Sequence, residues 1–358
     1  MDGTTAQSAG ARIQRSLDEL VELALKCQRS RWPELADHAD AGLLAATARD
    51  TRYHLEFIAS ALRFEEKALL DDYLVWCKVL FTNLGLPIEW VEGSLRCIAE
   101  TFEGRLPAAE VLQARSYVES ALRAMASADV ATADCAVAPD ALGVLAQRYL
   151  HTVLNADRDG AVALLESAVA SGTPVRDIYT HVLGPVQREV GRLWLVNKLS
   201  VAQEHYITET TRFSMARLYH RHPDSAAHDR SVVVACVGDE LHELGPRMVA
   251  DFFQMDGWDT HYLGANTPTA AIVEAVKRTR TDALALSATM AFHVKEIADI
   301  ISMVRADPET ASVFVLAGGY PFDVAPDLWV RVGADGTAPD AESAVRLANK
   351  LMVTFHQV

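Results

Sequence analysis

One loop of the sequence carries residues that could bind a metal. Glu240-Leu241-His242-Glu243-Leu244-Gly245 places a single histidine between two carboxylates. A histidine that ligates a metal through one ring nitrogen needs its other nitrogen held, and a carboxylate two residues away is a usual partner. His242 is therefore a candidate ligand. The alternative is a solvated loop whose acidic residues favour the start of the next helix.

The flanking sequence places His242 between a strand and a helix. Val232 to Val237 form a β-branched run, which is typical of a strand covered on both faces, and Gly238 ends it. Gly245-Pro246 then opens an amphipathic helical pattern, with proline in the first turn. In an open parallel α/β sheet this loop lies at the carboxyl end of the strands, where ligands bind.

Three later strand ends carry residues that suit the same binding edge. Glycine pairs let a backbone pass close to a bulky group, and hydroxyls can point up from the sheet. The candidates are Leu263 and Gly264 after the second strand, Ser287 and Thr289 at the end of the third, and Gly318, Gly319 and Tyr320 after the fourth.

The sequence predicts a mixed fold with two helical parts before an α/β part. Strands are expected at 231–237, 257–263, 283–287 and 313–316, with a short one at 334–337 and a last helix over 340–355. Right-handed crossovers and this alternation give a doubly wound parallel sheet. The predicted order is a disordered start (1–11), an all-α domain (12–125), a linker (126–141), a four-helix bundle (142–220), a second linker (221–230) and the α/β domain (231–358).

A second group of candidates lies in the predicted bundle. Trp194 ends one helix, and Glu204-His205 falls in the first turns of the next, which starts at the capping box Ser200 to Gln203. The three side chains could converge at one end of the bundle. The alternative is a core tryptophan beside a glutamate that favours the helix N-terminus.

The all-α domain contains residues that could line a pocket for a flat, acidic chromophore. Arg52 and His54 share one helix, and Tyr73 and Trp76 share the next. Cationic side chains would meet carboxylates and aromatic rings would stack on the chromophore. Ordinary core packing is the alternative explanation for the two aromatics.

Composition excludes several classes of protein. The chain of 358 residues has 33 Lys plus Arg against 48 Asp plus Glu, a formal charge of -15, so direct nucleic-acid binding is not expected. Five scattered cysteines argue against a disulfide framework or a zinc site and fit a cytoplasmic protein. Without a long apolar run, membrane insertion is not expected, and no catalytic nucleophile indicates an enzyme.

The strand-end motifs together resemble the cobalamin-binding domain, which has a flavodoxin-like fold. In that family the histidine of a D-x-H-x-x-G loop is the lower axial ligand of cobalt, and the later motifs line a groove for the nucleotide tail. Here Glu240 replaces the aspartate, which is similar to the E-x-H-E-x-G loop of CarH-type light sensors. The resemblance implies that His242 ligates cobalt and that Leu241, Glu243 and Gly245 contact the corrinoid.

The bundle resembles the helical cap of the same branch. Trp194, nine residues and then Glu204-His205 match its W-x9-E-H signature, which implies that Trp194 and Glu204 cover the upper face of adenosylcobalamin. Leu195 departs from the pattern, because the best-known sensors have a histidine there that captures cobalt after photolysis. Water, His205 or another histidine would then take that position.

The order of domains resembles that of the photocobilins, which hold biliverdin beside cobalamin. This implies a light-sensing photoreceptor in which photolysis of the cobalt–carbon bond rearranges the cap and changes the oligomeric state. A homo-oligomer, dimer or tetramer, is expected, with a downstream signalling enzyme as a further partner. The alternative is a corrinoid methyl-carrier subunit of a methyltransferase system. A third reading is an interaction module that uses cobalamin only structurally.

Overall fold

The computed structural model describes residues 4–32, 41–130, 140–219, 227 and 229–355, with side chains as far as Met352. The chain divides into two compact units. The first unit comprises Met1–Val130, Thr289–Lys295 and Tyr320–Val332. The second comprises Ala131–Ala288, Glu296–Gly319 and Gly333–Val358. The predicted linkers at 126–141 and 221–230 lie largely outside the described residues.

The first unit is built from amphipathic helices, as its apolar stripes predict. Leu55, Ile58 and Leu62 form one fully buried stripe. Gly85 ends one helix in the left-handed conformation, which glycine adopts without steric cost. The helices are α1 (Thr5–Arg15), α2 (Leu17–Arg31), α3 (Ala41–Arg63), α4 (Ala68–Leu84), α5 (Ile88–Thr101) and α6 (Ala108–Ser127).

Helix α1 lies where the sequence predicts disorder. Thr4 and Gln7 form a capping box that satisfies backbone N–H groups at its start. The helix packs through small residues: a Cβ added to Gly10 would lie 2.6 Å from the carbonyl oxygen of Ala59 on α3. Small residues bury little apolar surface but allow close backbone approach, so hydrophobicity alone does not reveal this contact. Residues 1–3 lie outside the described part of the chain.

A disulfide joins α2 and α5, contrary to what the cysteine pattern predicts. Cys27 and Cys97 are 70 residues apart in sequence, and their Cα atoms lie 5.7 Å apart. Helix packing brings them together, and no local spacing could have indicated the pair. Cys77 and Cys236 are buried free thiols, whereas Cys135 lies outside the described residues.

Helix α3 also packs against the segment Thr289–Lys295, which belongs to the same unit. The Phe292 ring stacks on Tyr53 with centroids 5.7 Å apart and meets Phe57 edge-on at 5.3 Å. The hydroxyl of Ser60 donates to the carbonyl oxygen of Ala291 at 2.7 Å. Aromatic packing and a buried hydrogen bond therefore fix this segment on α3.

The second unit begins with a helical bundle whose helices start at capping residues. Asp140 and Asp157 accept backbone N–H groups, and the predicted capping box of Ser200 and Gln203 is confirmed. The elements are α7 (Ala141–Leu154), α8 (Arg158–Ala170), α9 (Val175–Ile178), a π turn (Tyr179–Leu183), α10 (Gly184–Leu195) and α11 (Val201–Tyr219).

The π turn interrupts a stretch from Val175 to Leu193 whose apolar residues repeat with the period of a single helix. Pro185 follows it, at the start of α10. Proline has no N–H, and its ring clashes with a carbonyl one turn earlier in a regular helix. A wider turn before the proline removes that conflict, because its hydrogen bonds span five residues.

The rest of the second unit contains a four-stranded parallel sheet in the order β2-β1-β3-β4. The strands are β1 (Ser231–Cys236), β2 (Asp259–Tyr262), β3 (Ala283–Ser287) and β4 (Phe314–Gly318). The helices of this part are α12 (Leu244–Met255), α13 (Thr269–Thr279), α14 (Val294–Ala306), whose first two residues belong to the first unit, and α17 (Ala341–Phe355). The short helices α15 (Tyr320–Val324) and α16 (Leu328–Arg331) follow β4 in the chain and belong to the first unit. A parallel sheet covered by helices is what the alternation predicts.

The predicted strand at 334–337 is reduced to an isolated bridge between Leu316 and Gly336 in the described residues. The Asp335 side chain accepts the backbone N–H of Val315 at 2.7 Å and also receives Arg305. A side chain thus takes a place that a further ladder bond would occupy, and the strand does not extend.

The bundle and the sheet share one apolar core and a buried polar contact. Tyr149, Ile178, Phe252 and Phe314 belong to the same cluster of buried side chains. The hydroxyl of Tyr179, in the π turn, donates to Asp251 on α12 at 3.0 Å. Asp251 also accepts Arg247 Nε at 2.9 Å. The buried carboxylate therefore has partners on both of its oxygens, as burial of a charge requires.

Replacing Gly319 with alanine should destabilise the fold much more than the same change at Gly318. Gly319 has φ +103° and an added Cβ would lie 2.0 Å from the Ala288 carbonyl oxygen, whereas at Gly318 the nearest atom would be 4.0 Å away. Backbone strain of this kind costs about 1–3 kcal/mol. Thermal unfolding should show a drop of several degrees for Gly319→Ala only; equal melting temperatures would contradict the packing.

Candidate functional site

The loop after β1 holds His242 by a buried carboxylate. Glu240 is 1% exposed, and its Oε1 lies 2.6 Å from His242 Nδ1. The same oxygen accepts the backbone N–H of His242 at 3.0 Å. The imidazole itself is 62% exposed. The ring is therefore fixed at one nitrogen, and its other edge faces outward.

This hydrogen bond selects the form of His242 that can bind a metal. A carboxylate at Nδ1 favours the proton on that nitrogen, which leaves the Nε2 lone pair for a ligand. The hydrogen bond to Glu240 is the main cause that raises the pKa of His242 above its usual value, while burial opposes the shift. Negative charge on Glu240 and Glu204 adds to the increase.

A neighbouring loop fixes the His242 loop in place. Asn266 Oδ1 accepts the backbone N–H of Asp239 at 2.7 Å, and the Asn266 N–H donates to the carbonyl of Glu240 at 2.9 Å. Gly264 extends the pairing of β1 and β2, because its carbonyl accepts the N–H of Cys236. The two strand-end loops therefore form one hydrogen-bonded edge.

One face of α11 lies opposite this loop within the second unit. Arg212 Nη1 donates to Glu243 Oε1 at 2.8 Å, and the Tyr262 hydroxyl also meets Glu243. Glu204 lies two turns earlier on the same helix face and influences the pKa of His242. Of the predicted bundle residues, Glu204 is therefore close enough to act electrostatically on His242 in the loop.

The predicted residues at the end of the bundle lie on two consecutive helices. Trp194 is half-buried in the last turn of α10, and Glu204 and His205 lie in the first turns of α11. His205 Nδ1 lies 2.6 Å from Glu204 Oε2, and its side chain is 73% exposed. Leu241, beside His242, is 72% exposed. An exposed leucine next to a ligand suits contact with an apolar ring.

The remaining strand-end candidates divide between the two units. Ser287 and Gly318 are half-buried neighbours in the register of β3 and β4. At Gly319 an added Cβ would lie 2.0 Å from the Ala288 carbonyl oxygen, so the close approach of the two backbones requires glycine there. Thr289 and Tyr320 belong to the first unit, where the Tyr320 hydroxyl donates to Asp72 at 3.0 Å.

Three of the four predicted chromophore residues cluster in the first unit. The buried Tyr73 hydroxyl lies 2.9 Å from His54 Nδ1, and its ring is 6.3 Å from that of Trp76. Burial lowers the pKa of His54 to about 4, so the imidazole is neutral near pH 7 and cannot supply a positive charge. Arg52 instead pairs with Asp18 on α2.

The donor set suits a metal that brings most of its own ligands. Among the residues that the structure describes, no group of three or more His, Cys, Asp or Glu side chains could hold a metal ion. His242 offers one exposed nitrogen on a fixed ring. A corrinoid, whose macrocycle supplies the equatorial ligands, needs only such an axial donor from the protein.

Comparison with known families agrees with this geometry. Residues 230–346 and 145–219 each match a family described as B12 binding domain. Residues 2–125 match the phycobilisome protein family.

Relatives and a solved structure are similar to part of the chain. Dimethylamine corrinoid protein 1 of Methanosarcina acetivorans is 26% identical over 58% of this chain and 97% of its own length. The HTH-type transcriptional repressor CarH of Myxococcus xanthus is 28% identical over 40% of this chain and 46% of its own length. The structure of the Methanosarcina barkeri monomethylamine corrinoid protein has the same fold, with a TM-score of 0.53, 21% identity and coverage of 59% of this chain and 100% of its own.

These findings support a cobalamin-binding protein.

They also correct the predicted function. The expectation of a light-sensing photoreceptor is wrong, because the corrinoid proteins match almost over their full length whereas CarH matches over less than half of its own. The alternative, a corrinoid methyl-carrier, agrees better with the comparisons.

Three polar residues that bond to the His242 loop or to Glu204 were not predicted as site residues. Asn266 follows the candidates Leu263 and Gly264 in the chain and bonds to the His242 loop. Thr208 and Arg212 follow Glu204 at intervals of four residues, so all three lie on one helix face. That spacing is a signal in the sequence that could have identified them.

In the described part of the chain, no helix has the length and apolar character needed to cross a membrane.

Glu240→Gln should lower the pKa of His242 in the corrinoid-free protein. The neutral amide removes the charge and the strong hydrogen bond that raise this pKa. The raised pKa stabilises the folded wild-type protein below about pH 6.5, and this contribution is lost as the pH rises through the folded pKa. NMR titration of the imidazole measures the change.

Glu243→Gln is the matched control, because Glu243 pairs with Arg212 and not with His242. In this variant the pKa of His242 should stay near the wild-type value. If the pKa of His242 in Glu240→Gln were equal to or above the wild-type value, Glu240 would not be the group that raises this pKa.

Proposed function

We propose that the chain is a corrinoid protein that carries a methyl group on cobalt as a subunit of a methyltransferase system. The observation that carries the proposal is the alignment with a dimethylamine corrinoid protein over 97% of that protein's length. When bound, the corrinoid supplies a metal that accepts and releases the methyl group.

The protein's own residues bind and orient this group. His242 would hold cobalt from below through Nε2, while the buried Glu240 keeps the proton on Nδ1. Glu204 and Trp194, at the start of α11 and the end of α10, would cover the opposite face. Side chains over that face would limit the access of bulk solvent to a reactive metal between two transfers.

The names of the relatives suggest the substrate and the partners. Methylated amines are the proposed class of methyl donor, because the aligned relatives are dimethylamine corrinoid proteins. The partners would be one methyltransferase that loads the corrinoid and another that unloads it. The chain itself is then a carrier and not a complete enzyme.

The protein loaded with methylcobalamin should transfer its methyl group in darkness. The assay adds a purified methyltransferase that unloads dimethylamine corrinoid proteins, together with its thiol acceptor. We expect loss of the methylcobalamin absorbance and formation of one methyl thioether per corrinoid. His242→Ala should lose the histidine-ligated spectrum and slow the transfer at least about tenfold, since ligand-supporting residues typically contribute factors of about 10–100.

His261→Ala is the control, since this half-exposed histidine lies on β2 and pairs with Asp259. It should behave like the wild type. Retention of bound corrinoid without any dark transfer, combined with a change of mass on illumination, would overturn the carrier proposal.

We further propose biliverdin as a cofactor of the first unit. The match of residues 2–125 to the phycobilisome family supports this assignment. The exposed ring of Trp76, which lies 6.3 Å from the ring of the buried Tyr73, offers a face on which a flat chromophore could stack.

Biliverdin added to the protein should give a red absorbance band that saturates at one equivalent. Trp76→Ala should weaken binding about 3- to 10-fold, the value of one aromatic stacking contact. Leu112→Ala, at a 71% exposed position on α6, is the control and should leave the titration unchanged. A protein that gives no red band, or equal affinities for both variants, would contradict the assignment.

A further inference from the structure

Both oxygens of the Glu204 carboxylate are held by neighbours on its own helix. Thr208 Oγ1 donates to Glu204 Oε1 at 2.8 Å. His205 Nδ1 lies 2.6 Å from Glu204 Oε2. Because two points fix the plane of a carboxylate, the group has one preferred orientation.

The Thr208 hydroxyl has two possible acceptors but only one proton. Gln187 Oε1 lies 3.4 Å away, whereas Glu204 Oε1 lies 2.8 Å away and carries charge. The proton therefore goes to Glu204, since hydrogen bonds to ionised acceptors are shorter and stronger.

The Thr208 hydroxyl also lies beside a side chain that the bundle core fixes. Gln187, whose Oε1 lies 3.4 Å from Thr208 Oγ1, donates to Thr211 Oγ1 at 2.6 Å. Thr211 is fully buried and lies 3.1 Å from the hydroxyl of Tyr149, which is also fully buried. Gln187 is thus a fixed neighbour of Thr208, while the Thr208 proton stays with Glu204.

The held carboxylate lies on the helix face that meets the loop of His242. Arg212, two turns further along the same face of α11, contacts Glu243 in that loop. In the proposed function, Glu204 covers the face of the corrinoid that is opposite to His242.

We infer that Thr208 is a positioning residue that fixes the Glu204 carboxylate over the open axial position of the corrinoid. The inference deepens the proposed function because it rests on corrinoid binding, but it does not require methyl transfer. A carboxylate fixed at that position accepts a hydrogen bond from bound water and opposes its ionisation to hydroxide. The carboxylate makes no such hydrogen bond with a methyl group, because a methyl group has no O–H or N–H donor.

The ionisation of water on cobalt tests the inference. The full chain is reconstituted with aquocobalamin, and the conversion of bound water to hydroxide is followed by visible absorbance across pH. Thr208→Val should lower the pKa of that water by about half a unit, the scale of one hydrogen bond. Glu204→Gln should lower it further, and adding Thr208→Val to Glu204→Gln should cause no additional change.

Two variants separate positioning from a general structural effect. Thr208→Ser keeps the hydroxyl and should restore the wild-type value. In the described residues the buried Thr210 hydroxyl has no hydrogen-bond partner, so Thr210→Val removes an equivalent group from the same helix without touching Glu204. It should leave the water pKa unchanged.

Three results would overturn the inference. The first is an unchanged water pKa in Thr208→Val when Glu204→Gln shifts it. The second is an equal shift in Thr210→Val. The third is a wild-type spectrum that shows nitrogen on both faces of cobalt and no transition with pH, which would assign the upper position to a histidine. Failure of methyl transfer with these spectral shifts intact would reject the carrier function and leave the role of Thr208 standing.

Discussion

The hydrogen bond between Glu240 and His242 is the interaction on which the candidate site depends. A carboxylate that is 1% exposed is costly to bury unless it is well paired, and Glu240 is paired with both the ring and the backbone of His242. The Glu240 carboxylate thus fixes both the His242 side chain and the loop that carries it. Asn266 adds a backbone connection from the next loop, so the exposed Nε2 edge is presented by a rigid strand end rather than by a mobile turn.

The bundle is attached to the sheet mainly by buried contacts, and this keeps its helix face opposite His242. Asp251 is 3% exposed and bonded to Tyr179 and Arg247, so removal of one partner would leave a buried polar group unsatisfied. The ion pair of Arg212 and Glu243 is half-exposed on the arginine side, and such pairs contribute only about 0–1 kcal/mol. The π turn that presents Tyr179 therefore matters more for the attachment than the ion pair closer to the site.

Patterns that act over a few residues could be predicted from the sequence. The strand ends, the capping box at Ser200 and the loop position of His242 follow from local periodicity and capping chemistry. Contacts between distant segments could not be predicted in this way. Three features depend on tertiary packing: the Cys27–Cys97 disulfide, the close approach of Gly10 to α3, and the hydrogen bond of the Asp335 side chain that limits the predicted strand at 334–337. The neutral state of His54 likewise follows from burial that the helix pattern alone does not quantify.

The sequence specifies the fold more directly than the function, because the lower face of the proposed corrinoid site does not depend on what the upper face carries. Glu240 and His242 would present the same nitrogen to cobalt whether the upper group is adenosyl or methyl. Discrimination therefore falls to the bundle end, where Leu195 cannot ligate and Glu204 can accept a hydrogen bond only from a group with a donor. In the proposed site, an apolar neighbour and one fixed acceptor would leave the upper position open to exchange, and such exchange is what the proposed carrier function requires.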